Sequence, residues 1–437
     1  MRDIVFILGF LSMLPFAIGR PHVGVLLWCW TALLVPNYYV FGFASPIPYN
    51  LIVAVLTLLV WLFSRESVRV PLNPTIFFLV LFVFFATIST IFAIGDQSVA
   101  WGEWEKLAKI ILFAIVVNSI MNTRARIEAL AYAIVLSLGF HGIVEGLKFL
   151  GSGGGHNIVG PTNSILGDNN QFALAMLCTL PLVFYLYWQA NYRILRIGVI
   201  GSAAILCFTV VGTFSRGGLI GLIAVGGWAF LNSRRKVRYL ALAIPLVIML
   251  VSFAPARWFD RMDTIETADQ DASFMGRVIA WKQSTLIALD HPVLGGGFHA
   301  VQDYSVWKLY SYKFEDLNFI PTNKPDPYRA HAAHSIYFQV LGDLGFVGLA
   351  LFSLLGLAAW RNTVVVMKKA KGRKDLEWAG QLAQYIQYSL IAYFVSGAAL
   401  SMGYFELMYV LFAVLASLRQ IVDQAHDRPV TSIDVGR

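Results

Sequence analysis

The chain has 437 residues, of which 58% are hydrophobic and only 13% charged, and its mean hydropathy is +0.67. Soluble domains carry about 25% charged residues, so a water-soluble enzyme is excluded, and a disordered, fibrous or disulfide-stapled chain with it. The net charge of +8 does not point to nucleic acid, because the 33 Lys and Arg residues cluster between apolar segments.

Crossing about 30 Å of hydrocarbon takes about 17–25 apolar residues as a helix. In chain order the stretches that qualify lie near 3–19, 22–42, 47–63, 75–94, 104–121, 128–149, 169–188, 194–213, 216–232, 238–254, 334–360, 383–402 and 404–421. They predict an all-α polytopic integral membrane protein with about twelve transmembrane helices. Arg20, Pro21 and His22 interrupt the first run, so the first 45 residues make either two crossings or one crossing and an embedded hairpin. Cys29, Cys178 and Cys207 all fall inside apolar runs and read as packing residues.

Short loops rich in Lys and Arg stay on the cytoplasmic side. Those at 64–70, 122–128, 192–196, 233–238 and 361–374 all fall on one side if the spans alternate, which also makes the C-terminus cytoplasmic. The opposite side receives the glycine-rich stretch 151–170, short turns at 214–217 and 403–406, and one long excursion. The expected organisation is a transmembrane bundle over 1–253, a large and mostly helical extramembrane cap over 254–333, and C-terminal transmembrane helices with a tail over 334–437. Within the cap, 273–289 has helical spacing, and His291-Pro292 followed by Gly295-Gly296-Gly297 marks a turn.

The residues that suit chemistry crowd the outward side. Arg216, in Thr213-Phe214-Ser215-Arg216-Gly217-Gly218, opposes the positive-inside trend; it is either an anion site or an arginine bound to lipid phosphates. Arg277 stands near the start of the cap helix, where a guanidinium fork and a helix N-terminus suit a diphosphate, with an ion pair to the acidic stretch 260–271 as the alternative. Lys282 and Arg261 share both readings. His334, at the water boundary of an apolar helix, is able to exchange a proton near neutral pH, or is an interfacial residue. His331, one turn earlier, has metal-partner spacing but no supporting ligand pattern, so no metal is expected. Asp168, Asn169 and Asn170 open a span, where Asp168 is expected to cap the helix and the cluster otherwise to bind sugar hydroxyls. His141, Glu145 and Lys148 share one helix face, as a functional group or a self-neutralising Glu145–Lys148 pair. Outward aromatics, including Trp258, Trp281, Tyr304, Trp307, Tyr310, Tyr312 and Tyr328, fit an interfacial belt and fit stacking on sugars equally. At this level, glycosyl transfer from a lipid diphosphate and transport of an anionic lipid or solute compete; the absence of an internal repeat disfavours the transporter or flippase.

Ser273-Phe274-Met275-Gly276-Arg277 with Trp281, then His291-Pro292-Val293-Leu294-Gly295-Gly296-Gly297-Phe298, then His334-Ser335 leading to Gly342-Asp343-Leu344-Gly345, resembles the O-antigen ligase and polymerase family in order and spacing. The likeness covers about 205 to 360, and within the family it is similar to the ligases, including O-glycosylation ligases associated with exosortase systems. The resemblance implies a bacterial inner-membrane glycosyltransferase similar to C-type glycosyltransferases, with its active site facing the periplasm and neither metal nor cofactor. It implies a glycan donor on undecaprenyl diphosphate and a sugar hydroxyl of lipid A–core as acceptor, among membrane lipids and without nucleic acid. By motif position, His334 matches the family's essential histidine, and Arg216 and Arg277 match its diphosphate-binding arginines. An O-antigen polymerase and a protein O-oligosaccharyltransferase share this chemistry and differ in acceptor.

Overall fold

The computed structural model describes residues 2–64, 70–71, 73–162, 164–233, 236–252, 272–317 and 322–427. The acidic stretch 260–271, Arg261 and Trp258 lie outside them. The described residues are helical, with short 3-10 turns and irregular connections and no strand. The helices are α1 (Arg2–Gly19), α2 (Pro21–Leu34), α3 (Tyr49–Phe63), α4 (Pro74–Ile91), α5 (Gln97–Ile120), α6 (Arg124–Gly151), α7 (Asn169–Gln189), α8 (Arg193–Gly212), α9 (Arg216–Asn232), α10 (Lys236–Ser252), α11 (Ala272–Asp290), α12 (Tyr304–Tyr312), α13 (Ile336–Ala370), α14 (Glu377–Ser396) and α15 (Glu406–Asp427).

Among the described residues, six helices are long and apolar enough to cross a membrane: α1, α4, α6, α7, α8 and α13. The expected span at 22–42 is shorter than its apolar run. At about 1.5 Å per residue, the 14 residues of α2 cover about 21 Å. The helix stops where Val35 turns left-handed (φ 50°) ahead of Pro36, whose ring disfavours the helical conformation in the residue before it. The span expected at 104–121 starts earlier, at Gln97, where the Asp96 carboxylate accepts from the N–H groups of Ser98 and Val99.

Helix α7 lies at the centre, packed against α6, α8, α9 and α14, while α13 packs against α4, α14, α15 and α11. With no hydrophobic drive between helices in lipid, close approach depends on small residues and interhelical hydrogen bonds. Thr209 Oγ1 on α8 donates to the Gly142 carbonyl of α6 at 2.7 Å, and Ser389 Oγ on α14 donates to the Cys178 carbonyl of α7 at 2.7 Å. All three cysteines are buried and free, consistent with packing roles.

Helix α13 is broken. Gly345 (φ 68°, ψ −169°) leaves the helical region, and a strap from His291 to His299 closes the gap. The N–H groups of Gly296 and Gly297 donate to the carbonyls of Gly342 and Asp343 at 2.9 and 2.8 Å, and the Phe346 N–H donates to the Pro292 carbonyl at 3.0 Å. Ser89 Oγ of α4 pins the strap by donating to the Leu294 carbonyl at 2.6 Å. A β-carbon added to Gly295 (φ 67°) would lie 2.4 Å from the Gly345 nitrogen, so backbone meets backbone here and only glycine fits. The buried Asp343 carboxylate accepts from the His299 N–H and the Tyr404 hydroxyl, each at 3.0 Å. The glycine motifs at 291–298 and 342–345 thus join the bundle to the connector, the described residues 272–317 and 322–335 between α10 and α13.

Candidate active site

Helix α7 begins where Asp168 accepts from the N–H groups of Asn170 and Gln171, the capping role expected from its position. Asn169 reaches sideways, and its Nδ2 donates to the Thr213 carbonyl at 2.8 Å. Thr213 leads into left-handed Phe214 (φ 56°) and then Ser215, whose hydroxyl accepts from the Gly218 N–H and starts α9 with Arg216 as its first residue. A β-carbon on Gly217 would lie 3.5 Å from that of Ala399 and 3.7 Å from the Ser396 carbonyl oxygen, so the arginine turn rests on the end of α14. The segment 397–403 continues against the start of α13, where a β-carbon on Gly397 would lie 2.8 Å from Ile336 Cδ1. The N-termini of α7, α9 and α13 therefore converge. Each carries partial positive charge, and together they favour an anion.

His334 stands at this convergence, half-buried, immediately before α13. Burial pushes its imidazole below the ordinary histidine range; Arg277 pushes the same way, Asp168 opposes, and His331 adds a smaller downward push. The structure thus brings His334, Arg277, Asp168 and His331 within electrostatic reach of one another. A β-carbon on Gly276 would lie 3.9 Å from the His331 ring, whose other contact is an edge-to-face packing on Trp307 with centroids 5.6 Å apart. A neutral imidazole within electrostatic reach of a guanidinium is fit to accept a proton while the guanidinium attracts an anion.

The remaining candidates lie elsewhere. Lys282 is buried inside the connector, donating to Thr322 Oγ1 at 2.8 Å with its ammonium 4.8 Å from the Phe314 ring centroid. Glu145 bonds Lys148 at 2.7 Å and also His156 at 2.6 Å, which ties the glycine-rich 151–167 stretch to α6; His141 pairs with the Tyr39 hydroxyl. Among the described residues no group of three His, Cys, Asp or Glu side chains is placed to hold a metal ion. The aromatics expected to face outward divide. Trp307 and Tyr310 are buried in the connector, whereas Tyr304, Tyr312 and Tyr328 are exposed. His156 and Tyr39 carried no sequence signal. Asp343 carries one, as a carboxylate inside an apolar helix.

Two family models match the chain. The one described as O-antigen ligase covers residues 201–353, which hold Arg216, Arg277, His331 and His334. Residues 201–353 are an O-antigen ligase family domain. Residues 1–191 match DUF5935, a family of unknown function, and contain the Glu145 cluster and Asp168. No curated protein matches the chain. The ligase-family domain runs from within α8 to the middle of α13, so it includes the connector, the strap and the helix break that the strap closes. Enzymes of this family are glycosyltransferase-like ligases and polymerases working on lipid-linked glycans in membranes.

Proposed function

We propose that the protein transfers a glycan from undecaprenyl diphosphate to a sugar hydroxyl of lipid A–core on the periplasmic face of the bacterial inner membrane, without metal and with inversion. The observation that carries this reading is the placement of His334 beside Arg277 where three helix N-termini converge. Displacing a diphosphate from an anomeric carbon builds negative charge on the leaving group. Arg277 and Arg216 stabilise that charge in place of a divalent ion, better than water does because they are already oriented. Nε2 or Nδ1 of neutral His334 takes the acceptor hydroxyl proton as the new C–O bond forms and the C–O bond to diphosphate breaks, a contribution of about 10²–10⁴-fold. A single displacement inverts the anomeric carbon. In this reading the connector is the periplasmic cap over the glycan, residues 1–253 and 334–437 are the two parts of the bundle, about twelve helices cross the membrane, and the C-terminus is cytoplasmic.

The test is transfer by purified protein from undecaprenyl-diphosphate glycan to lipid A–core in EDTA, with His334→Ala and Arg277→Ala as comparisons. Wild-type transfer in EDTA, lowered by about 10²-fold or more in both folded variants, is the expected result. Donor consumption only with a second lipid-linked repeat, or only with a protein acceptor, replaces the acceptor by that of a polymerase or a protein O-oligosaccharyltransferase. Full activity of His334→Ala removes the mechanism.

A further inference from the structure

The peptide unit joining Ala333 to His334 is gripped on both edges. Its carbonyl accepts from Trp281 Nε1 at 2.7 Å, and its N–H donates to Ser401 Oγ at 2.7 Å. The two partners come from distant parts of the chain: Trp281 from α11 of the connector and Ser401 from the segment between α14 and α15. His334 itself is left-handed (φ 44°), a conformation that strains a non-glycine residue and persists only where its surroundings impose it.

Both partners are themselves fixed. Trp281 lies flat on Phe338, one turn past His334, with ring centroids 5.1 Å apart and an interplanar angle of 8°. Around Ser401, the Tyr393 hydroxyl donates to the Met402 carbonyl at 2.9 Å, the Tyr409 hydroxyl to the Gly403 carbonyl at 2.9 Å, and the Gly403 N–H to Gln339 Oε1 at 3.0 Å. A peptide plane held on opposite edges cannot rotate. With φ fixed as well, the direction of the His334 Cα–Cβ bond relative to Arg277 and Asp168 is fixed too.

We propose that Trp281 and Ser401 are positioning residues for His334: they clamp the 333–334 peptide so that the imidazole faces the acceptor hydroxyl while Arg277 faces the diphosphate. The inference rests on the reading of His334 as the proton acceptor. It adds that the base is aimed jointly by the connector and the C-terminal helices, so that seating the connector on the bundle and arming the histidine are one event.

The experiment uses the full chain in nanodiscs with Ser401→Ala, Ser401→Thr and Trp281→Phe, which keeps an aromatic ring against Phe338 while removing the N–H donor together with part of the indole. Misplacing a reacting group by about 1 Å costs about 10²-fold. Ser401→Ala and Trp281→Phe are therefore expected to lose about that factor in kcat with the donor KM unchanged, while Ser401→Thr, which retains the hydroxyl, recovers most of it. A second readout is independent of turnover: NMR of ring-labelled histidine, with the His334 signal identified by its loss in His334→Ala. Since Arg277, Asp168 and His331 are the charged groups facing this ring, re-aiming it moves its titration midpoint in both clamp variants. Wild-type kcat in Ser401→Ala and Trp281→Phe alongside an inactive His334→Ala overturns the clamp and leaves the function standing. An unchanged His334 titration in both clamp variants overturns it whatever the activity. A fully active His334→Ala removes the function and the clamp's role with it.

Discussion

The Asn169 side-chain amide and the Thr213 carbonyl, 2.8 Å apart, lock the start of α7 to the turn that presents Arg216. Asn169→Leu removes the donor and leaves a carbonyl at the turn without that partner, which costs about 1–3 kcal/mol. The expected outcome is a lower unfolding temperature and a raised donor KM, with kcat changed less, because Arg216 is displaced while His334 is not. Thermal unfolding in detergent and donor saturation curves check both.

Arginine geometry sets the next prediction. Arg277→Ala should lower kcat/KM by about 10²–10³-fold, the range for removing one preorganised donor to a developing anion. Arg277→Lys should fall between, because an ammonium keeps the charge and loses the planar fork. Equal activity of the Lys variant and wild type in a transfer assay contradicts a bidentate grip on diphosphate.

The pH profile follows from the groups around His334. Burial and Arg277 hold the imidazole below its ordinary range, so the neutral, proton-accepting form already dominates at pH 7. Transfer should rise with pH through a midpoint below about 6.5, the ordinary histidine value, and be flat above neutrality. Arg277→Gln removes a repelling charge and moves the midpoint up. Asp168→Asn removes an attracting one and moves it down. Midpoints of kcat/KM against pH in the three proteins give the signs.

The joint in α13 separates two kinds of glycine. Gly345→Ala places a β-carbon 2.8 Å from the Gly295 nitrogen and 2.9 Å from the carbonyl oxygens of Pro292 and Val293, at φ 68°. It should destabilise by more than the about 1–3 kcal/mol of the backbone strain alone. Gly198→Ala on α8 meets nothing within 4 Å and should be neutral or stabilising by up to about 1 kcal/mol through helix propensity. Unfolding temperatures of the pair decide this.

Glu145 is expected to serve structure rather than transfer. Glu145→Gln weakens the bonds to Lys148 and His156, so protease cleavage within 151–167 should accelerate while kcat stays within about twofold, well short of the about 10²-fold or more expected of a catalytic acid or base. Limited proteolysis and a transfer assay on the same preparation check both halves.

How much of this was legible depends on distance along the chain. Caps act on residues two or three positions away, so the position of Asp168 places it, whereas Asp96 and Ser215 cap by the same local geometry without an expected role. The helix expected at 273–289 emerges as α11 for the same local reason. The stop at Val35 also had a local signal in Pro36, outweighed by the apolar run around it. The break at Gly345 had none, because a glycine in an apolar helix is ordinary until a strap more than forty residues upstream takes its carbonyls. Arg277 and His334 are legible from position and chemistry, with motif resemblance adding their roles, whereas Ser401 is invisible: a lone serine in a short turn carries no pattern, and its role exists only through a hydrogen bond to residue 334.

The seam between Pro292–Gly297 and Gly342–Phe346 bears on how such proteins can be recombined. Each strand of that seam supplies the partners the other lacks, so neither is complete when transplanted alone. A chimera that imports the connector from a relative must bring the first turns of α13 with it, and one that cuts between them leaves the Gly342 and Asp343 carbonyls without these partners. The portable unit for exchanging substrate preference is therefore the connector together with its half-helix.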